Sequence, residues 1–554
     1  MKAKLSEQMT DGSYYGPREL SEVLLDGAPE EWHPSDAAKR LLRSLSADID
    51  REGWGAIEHA AATLNNLRLF CKDLDEQRQK QMADAALLHD VPGRILHQET
   101  DERATLSRRL ETAWAEYISE VGGDNPVHNF MHDQVVIGMG ARDYRERIKQ
   151  QLGGGTEHVN DSSYDGELER CDWKTDIPAI RGKELEELVK HVNVESLIVK
   201  AAEMMDNIKR PPQSDSQQLR NILEAESFYI PMLKAMGYDA MAAEIDSSCN
   251  IYRLHGQGRT DIVEKAAAMY HEYTKQDPAR LAMTMFGLSE PPEVNWIVNE
   301  TSDDIYGGIN CRFAEMIIPI DGVERRVLFR QKSIGSMAKK LAKNGGDYSL
   351  LDAFGFQVIV KSEDNSLDAR RHYELSDEDI AAMHASQTRE LGECFAAFAE
   401  EVITNPNITL QSTNGVRKPV FVQGEVAFVE RIMAAVDEAY RADIGREIKS
   451  GDKIPYRVAK ATAMAGALPV EVQMLTELDR KLGRTGETSH IAYKNGGNDA
   501  LRWIQALHRR VDHMKAGDGN PVSREVGRIA VQAVLRQLYA GIFAPDSLHD
   551  NRVQ

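Results

Sequence analysis

The chain has 554 residues, with 67 lysines and arginines against 88 aspartates and glutamates, and a formal net charge of −21. This length exceeds what one hydrophobic core supports, so we expect about two to four domains. The negative charge disfavours general nucleic-acid binding through a basic surface, and a phosphate ligand would therefore need a local basic pocket.

Cysteine usage and hydropathy indicate the compartment. The five cysteines are scattered without paired spacing, which argues against a zinc ribbon or a disulfide framework and favours a reducing environment. No run of about 18 apolar residues occurs, and the N-terminus is polar and charged. We therefore expect a soluble cytoplasmic protein that does not engage a membrane.

Helical patterns dominate the first half of the chain and strand patterns appear in the second. Apolar residues recur at helical spacing over residues 34–93, from Val194 onward, and over 219–273. Strand-like runs at 315–320, 326–329 and 356–360 alternate with helices and predict an α+β core with a mixed sheet. The predicted regions are an N-terminal extension (1–33), a helical domain (34–215) with an inserted segment near 100–175, a helical linker (216–290), an α+β domain (291–494) with a polar, helical insertion near 361–450, and a C-terminal helical region and tail (495–554).

The helical domain contains the ingredients of a metal site. His59, the adjacent pair His89 and Asp90, and Glu203 combine imidazoles with carboxylates. Such ligands suit a Mn²⁺-like ion, which lowers the pKa of a bound water for attack on a phosphoester. Chance is the alternative explanation, since His-Asp pairs also occur elsewhere in the chain.

The α+β domain contains the ingredients of a phosphate-transfer site. Residues 330–340, Arg-Gln-Lys-Ser-Ile-Gly-Ser-Met-Ala-Lys-Lys, predict a basic, serine-bearing helix start that can hold polyphosphate oxygens. Asp352 opens an apolar strand, and Glu471 interrupts a second strand whose apolar residues share the opposite face. Two carboxylates on neighbouring strands can hold Mg²⁺ and activate a hydroxyl. Alternatively, they are solvated strand residues beside a wet helix surface.

These pieces, in this order, resemble the RelA/SpoT homologue family, whose members make and break the alarmones pppGpp and ppGpp. Residues 85–91 (Ala-Ala-Leu-Leu-His-Asp-Val) and 199–209 are similar to segments of the family's HD-type hydrolase domain, and residues 224–237 to the helix that links its two catalytic domains. The matches in the second half are the Arg-x-Lys-x-Ile-x-Ser-x-x-x-Lys pattern at 330–340, the Val-Glu-Ile-Gln strand at 470–473, and the closing Gly-x-x-x-His-x-x-Tyr-Lys stretch within 483–494.

The resemblance implies a multidomain fold, with an all-α HD-type domain followed by an α+β nucleotidyltransferase-like synthetase domain. It implies a pyrophosphokinase that transfers pyrophosphate from ATP to the 3′-hydroxyl of GDP or GTP, with Asp352 as Mg²⁺ ligand and Glu471 activating the hydroxyl and sharing the Mg²⁺ site. The implied nucleotide contacts are Arg330, Lys332, Ser336, Lys340, Lys453, Tyr456 and His490, with Arg51 and Asn207 near the nucleotide of the HD domain. The implied Mn²⁺ ligands are His59, His89, Asp90 and Glu203.

Several positions depart from the family pattern. Glu203 replaces an Asp, and residues 92–94, Pro-Gly-Arg, replace two carboxylates of the hydrolytic site, so hydrolysis is expected to be weak or lost. Gln357 replaces an Arg of the nucleotide pocket, and the insertion before Glu471 is far longer than the family needs. The stretch of chain after Lys494 is too short for the family's regulatory half.

Two other functions stay open from the sequence. One is a Mn²⁺-dependent 3′-pyrophosphohydrolase of ppGpp and pppGpp, and the other is a catalytically decayed, nucleotide-binding regulator. The acceptor is also open among guanine nucleotides, adenine nucleotides and an RNA 3′ end, although the net charge weighs against the last. The sequence does not indicate an oligomeric state.

Overall fold

The computed structural model describes residues 32–45, 56–72, 74–89, 117, 194–210, 218, 221–222, 224–299, 305, 308–345, 352–360, 389–395, 397–398, 401, 405–410, 412–413, 416–417, 420–424, 449–450, 458–477 and 479–480. The described residues form two compact units, one up to residue 229 and the other from residue 230 onward. This boundary falls within the predicted linker, 216–290. The predicted C-terminal region, 495–554, lies outside the described residues, as do nearly all of the N-terminal extension and the segment near 100–175.

The described part of the first unit is helical, as the apolar spacing predicted. Its helices are α1 (Asp36–Leu45), α2 (Ala56–Phe70), α3 (Glu76–Leu88) and α4 (Val194–Lys209), followed by a π-helical turn at Ala225–Tyr229. Asp75 caps the start of α3 by accepting a hydrogen bond from the backbone N–H of Arg78 at 3.0 Å. Helices α2, α3 and α4 pack together, and Leu67, Leu88 and Leu197 are fully buried.

The second unit contains the helices α5 (Ile230–Met236), α6 (Asp239–Gly256), α7 (Thr260–Thr274), α8 (Pro278–Met285) and α9 (Ile334–Lys343). Three of them, α6, α7 and α9, share a core of their own. Helices α6 and α7 both pack on α9, and Ile251, Val263 and Leu341 belong to one buried cluster. Two helices of the predicted linker, α6 and α7, are therefore packed against the helix that follows the third strand.

A mixed sheet forms the rest of the second unit and confirms the α+β prediction. Its strands are β1 (Asn295–Val298), β2 (Arg312–Ile320), β3 (Val323–Gln331), β4 (Phe354–Val360), β5 (Ile408–Leu410), β8 (Val420–Gly424), β9 (Lys449–Ser450), β10 (Val458–Ala465) and β11 (Leu468–Thr476), while β6 (Ser412–Thr413) and β7 (Val416–Arg417) pair separately. The strand order is β1-β2-β3-β4-β11-β10-β8-β9, with β5 also paired to β10. Strands β4 and β11 run parallel, whereas β3 and β4 are antiparallel.

The prediction of a polar, helical insertion near 361–450 is wrong for the described residues between 408 and 424, which form strands β5 to β8. These strands include Ile408-Thr409 and Val420-Phe421-Val422. Residues of this type favour extended backbone, because their branched or aromatic side chains pack well on a pleated surface. Among the described residues of the insertion, helical structure lies within 389–401.

The two faces of the sheet differ in chemistry, and this difference locates the candidate site. On one face, Phe329, Phe356 and Val472 pack with Phe286 and Phe395 in the main hydrophobic core. Because side chains alternate along a strand, the opposite face carries Arg330, Gln357, Glu471 and Gln473. We call this the polar face.

Close packing of α9 on α6 holds the helix that follows β3. A Cβ added to Gly335 would lie 2.0 Å from the backbone oxygen of Ser247, whereas one added to Gly256 would meet nothing within 4 Å. We expect Gly335→Ala to destabilise the second unit by about 3 kcal/mol or more, and Gly256→Ala to change stability by less than about 1 kcal/mol. Thermal unfolding of both variants checks this, and equal melting temperatures would contradict it.

Candidate phosphate-transfer and metal sites

The sheet brings Asp352 and Glu471 to the same end of two hydrogen-bonded parallel strands. Glu471 on β11 is paired with Gly355 on β4, and Arg330 on β3 is paired with the same glycine from the other side. Asp352 lies just before β4. Asp352 and Glu471 therefore lie near the same end of the β4–β11 pair, with Arg330 on the adjacent strand β3.

Two lysines hold the carboxylate of Asp352. Lys332 Nζ lies 2.6 Å from Asp352 Oδ2, and Lys340 from α9 contacts the other oxygen, Oδ1. Burial alone would raise the pKa of Asp352, but the two ammonium groups hold it at about 2. Burial lowers the pKa of Lys332 to about 8, although the attraction of Asp352 opposes this shift.

Glu471 is buried beside two further cations. Its side chain is only 5% exposed, and its Oε1 lies 3.7 Å from Arg330 Nη2. Lys460 on β10 contacts Oε2, and the Gln473 side-chain amide donates to Oε1 at 2.6 Å. The carboxylate is thus held in one orientation by charge-assisted hydrogen bonds.

Gly355 leaves the space that Arg330 occupies. A Cβ at this position would lie 3.0 Å from Arg330 Nε and 3.2 Å from its Cγ. The guanidinium therefore crosses β4 to approach Glu471. Arg330 remains 52% exposed, so its other N–H groups can meet a ligand.

The start of α9 uses its backbone amides internally. Ser333 caps the helix by accepting a hydrogen bond from the Ser336 N–H, and its hydroxyl lies 3.0 Å from the Ser336 hydroxyl. The Gly335 N–H donates to the side-chain oxygen of Ser247 at 2.9 Å. Phosphate binding here would therefore depend on lysine and arginine side chains more than on helix N–H groups. Arg330 itself lies on β3, not in the predicted helix start.

Arg480 brings a guanidinium to Gln357, where the family resemblance would place an arginine. Its Nε donates to Gln357 Oε1 at 3.3 Å. The turn that carries it starts at Thr476, whose Oγ1 accepts from the Asp479 N–H at 3.0 Å and donates to Asp479 Oδ2 at 2.6 Å. This local cap comes directly after β11 and folds Arg480 back toward the polar face.

In the first unit, the fold brings together His59, His89 and Glu203, three of the four residues proposed as metal ligands. One potential ligand atom of each lies within 4.8 Å of the others. His89 Nδ1 lies 2.6 Å from the carbonyl oxygen of Ala86; because a carbonyl only accepts, Nδ1 carries the proton and Nε2 is the ligand atom. His89 Nε2 is 3.8 Å from Glu203 Oε2. The donor set of two imidazoles and one carboxylate suits a transition-metal ion.

The surroundings of this trio both support and compete with a metal ion. Asp206 Oδ2 accepts from His59 Nδ1 at 2.7 Å, the carboxylate–histidine arrangement that orients metal-binding imidazoles. Lys200 Nζ lies 2.6 Å and 2.5 Å from the two Glu203 oxygens, so a bound ion must displace this ammonium from at least one of them. Asn207 donates to Glu203 Oε1 at 3.4 Å.

Some predicted site residues fall outside the described residues. They are Arg51, Asp90, Lys453, Tyr456 and His490, together with the departure at residues 92–94. Their placement stays a prediction.

Sequence reasoning assigned no role to three residues that the fold brings to these sites. Asp206 lies one turn after Glu203 on α4, so helical spacing could have predicted it. Arg480 comes just after the local signal Thr476-x-x-Asp479. Lys460 gave no such signal, because its contact with Glu471 depends on the register of β10 with β11.

No family model matches the chain, and no curated protein matches it. Among the residues that the structure describes, no helix combines the length and apolar character needed to cross a membrane.

Proposed function

We propose that the second unit is an ATP-dependent pyrophosphokinase that acts on the 3′-hydroxyl of GDP or GTP. One observation carries the proposal: Asp352 and Glu471 lie at the same end of parallel neighbours β4 and β11, and each carboxylate is contacted by two cationic side chains. Catalysis of phosphoryl transfer depends mainly on positioning and on neutralising charge. A cluster of this composition is suited to both.

Glu471 would act as the proton acceptor. In the transfer step, the acceptor's 3′-oxygen forms a bond to the β-phosphorus of ATP, the bond from that phosphorus to the α,β-bridging oxygen breaks, and AMP leaves. The proton of the 3′-hydroxyl passes to Glu471. Gln473 holds one oxygen of this carboxylate at 2.6 Å, which directs the other toward Lys460.

Three cations would hold the polyphosphate. The side chains of Arg330 and Lys340 are 52% and 40% exposed. The third cation, Lys332, forms an ion pair with Asp352. Asp352 and Glu471 offer the oxygen donors that Mg²⁺ prefers, and Asp352 would hold the ion. Mg²⁺ supplies neutralisation of the phosphate charge when bound. Its binding requires Lys340 or Lys332 to turn from Asp352 toward a phosphate oxygen.

Labelled ATP tests the proposal. The purified chain would be incubated with γ-labelled ATP, Mg²⁺ and, in parallel, GDP, GTP or AMP, and the nucleotides separated by ion exchange. We expect label in a 3′-pyrophosphorylated guanine nucleotide and an equal amount of AMP. Transfer to AMP alone would show that the acceptor is an adenine nucleotide and not GDP or GTP. No transfer to any acceptor would overturn the proposal. In that last case, tight binding of ppGpp without turnover would favour a regulator.

We infer a second candidate activity for the first unit, a metal-dependent phosphohydrolase that removes pyrophosphate from ppGpp. The convergence of His59, His89 and Glu203, with Asp206 behind His59, favours it. A metal held by these residues supplies an activated water when bound. Two features oppose high hydrolase activity. Lys200 donates to the carboxylate of Glu203, and residues 92–94, Pro-Gly-Arg, contain no carboxylate.

Metal binding at this trio gives a direct prediction. We expect Mn²⁺ to bind the chain stoichiometrically and His89→Ala to weaken this binding by at least about tenfold, because one of three imidazole and carboxylate donors is removed. Equilibrium dialysis with metal analysis measures this. His271→Ala, in the second unit, is the matched control. Unchanged Mn²⁺ affinity in His89→Ala would exclude the site.

A further inference from the structure

A line of side chains crosses the polar face from Arg480 to Glu471. Arg480 Nε donates to Gln357 Oε1 at 3.3 Å. Gln357 Nε2 donates to Gln473 Oε1 at 3.4 Å, and Gln473 Nε2 donates to Glu471 Oε1 at 2.6 Å. The four residues come from β4, from β11 and from the turn after it.

The chemistry at the two ends gives this line a single direction. A guanidinium only donates hydrogen bonds, and an ionised carboxylate only accepts them. Each amide in between has one donating and one accepting end, and either end can be placed by rotation. With Arg480 at one end and Glu471 at the other, only one orientation of both amides satisfies every contact.

Arg480 is built to stay in place. Its side chain is 11% exposed, its Nη1 donates to Glu477 Oε1 at 3.4 Å, and its Nη2 lies 4.0 Å from Asp239 Oδ2 on α6. The cap between Thr476 and Asp479 fixes the turn that carries it. A buried, multiply bonded guanidinium provides a rigid end for the line.

We propose that Arg480 is a positioning residue that orients Glu471 through Gln357 and Gln473. Without Arg480, either amide can rotate and present its oxygen to the next residue. Gln473 then no longer donates reliably to Glu471, and the carboxylate loses the bond that directs its other oxygen. As a statement about catalysis, this rests on the pyrophosphokinase function proposed above.

Steady-state kinetics of Arg480→Met test the catalytic part. We expect kcat to fall by about tenfold, the effect of one hydrogen bond in the transition state, while KM for ATP changes by less than about twofold. Adding Gln357→Arg to that variant places a pure donor directly beside Gln473 and should restore most of kcat. A rise in KM with unchanged kcat, or no rescue by Gln357→Arg, would overturn the proposal.

Arg325→Met is the matched control. Arg325 is also buried, at 6% exposed, and donates to Glu390 at 2.6 Å, but it lies on the core face of β3. Its loss should lower stability without a selective loss of kcat. A similar kcat loss in both variants would show a general structural effect and would count against Arg480.

A double-mutant cycle on stability tests the line of hydrogen bonds independently of activity. The free energies of unfolding of Arg480→Met, Gln473→Met and the double variant would be compared with the same cycle for Arg325 and Gln473. Sub-additive losses are expected for the first pair, and additive losses for the second. If the wild type transfers no pyrophosphate, the proposed function fails, but this cycle still decides whether Arg480 and Gln473 are coupled. Additive losses in the first cycle would show that the line of hydrogen bonds does not connect them.

Discussion

Replacing Glu471 by Gln is expected to slow pyrophosphate transfer by about 10²–10⁴-fold, the usual contribution of a general base. The amide keeps the size of the side chain and can accept hydrogen bonds, but it cannot take the proton of the 3′-hydroxyl. It also leaves Lys460 and Arg330 beside an uncharged partner. Single-turnover rates with labelled ATP and GDP measure the loss separately from product release.

Glu272→Gln is the control for this experiment. Glu272 lies on α7, where it forms an exposed ion pair with Lys275 at 2.6 Å, so its replacement removes one carboxylate from the second unit at a position outside the sheet. We expect its transfer rate to stay within about threefold of the wild type. Full activity of Glu471→Gln would remove Glu471 from the mechanism.

Asp352→Asn is expected to have a comparable effect on transfer, about 10²-fold or more, and also to change how stability depends on pH. The loss of one carboxylate leaves Lys332 and Lys340 without their shared counter-charge and removes the oxygen donor proposed for Mg²⁺. Electrostatic positioning of this kind contributes several kcal/mol to phosphoryl transfer.

The sign of the pH effect is set by the pKa of Asp352. It is about 2 in the folded chain against 3.8 for the ordinary side chain, so the unfolded state binds more protons between these values. The stabilisation, about 2 kcal/mol, is therefore complete above about pH 4 and is lost as the pH falls toward 2. We call this loss of stability between about pH 4 and pH 2 the acid step. It should be absent when the free energy of unfolding of Asp352→Asn is measured across the acid range.

Asp261→Asn is the control, because Asp261 is an exposed carboxylate in the first turn of α7. Its acid step should match that of the wild type. If Asp352→Asn retained the same acid step as well, the ion pairs of Asp352 would not be the source of the stabilisation.

The two proposed activities can be separated by these variants. Glu471→Gln and Asp352→Asn act on the second unit, whereas His89→Ala acts on the first. Loss of transfer in the first two variants with intact Mn²⁺ binding would assign the activities to different units. This separation does not depend on how the units are arranged.

Local pattern was sufficient to predict the elements that carry the site. The alternation around Glu471 predicted a strand with one apolar face, and Val470, Val472 and Met474 all lie in the core. Helical spacing predicted α4, which places Glu203 and Asn207 on one side, because residues four apart share a face. The basic run at 330–340 predicted the start of α9, which Ser333 caps, although Arg330 and Gln331 belong to β3.

Tertiary structure alone decided which groups meet. The parallel pairing of β4 with β11 joins residues more than a hundred positions apart, and no local pattern specifies that register, because it depends on long-range packing of the core face. For the same reason, local pattern did not predict the contact of Lys460 with Glu471 or the hydrogen bond from Arg480 to Gln357. The sequence by itself thus determined which chemistry each segment carries, while the long-range packing of the sheet determined that Asp352 and Glu471 lie near the same end of the β4–β11 pair, each held by its own pair of cations.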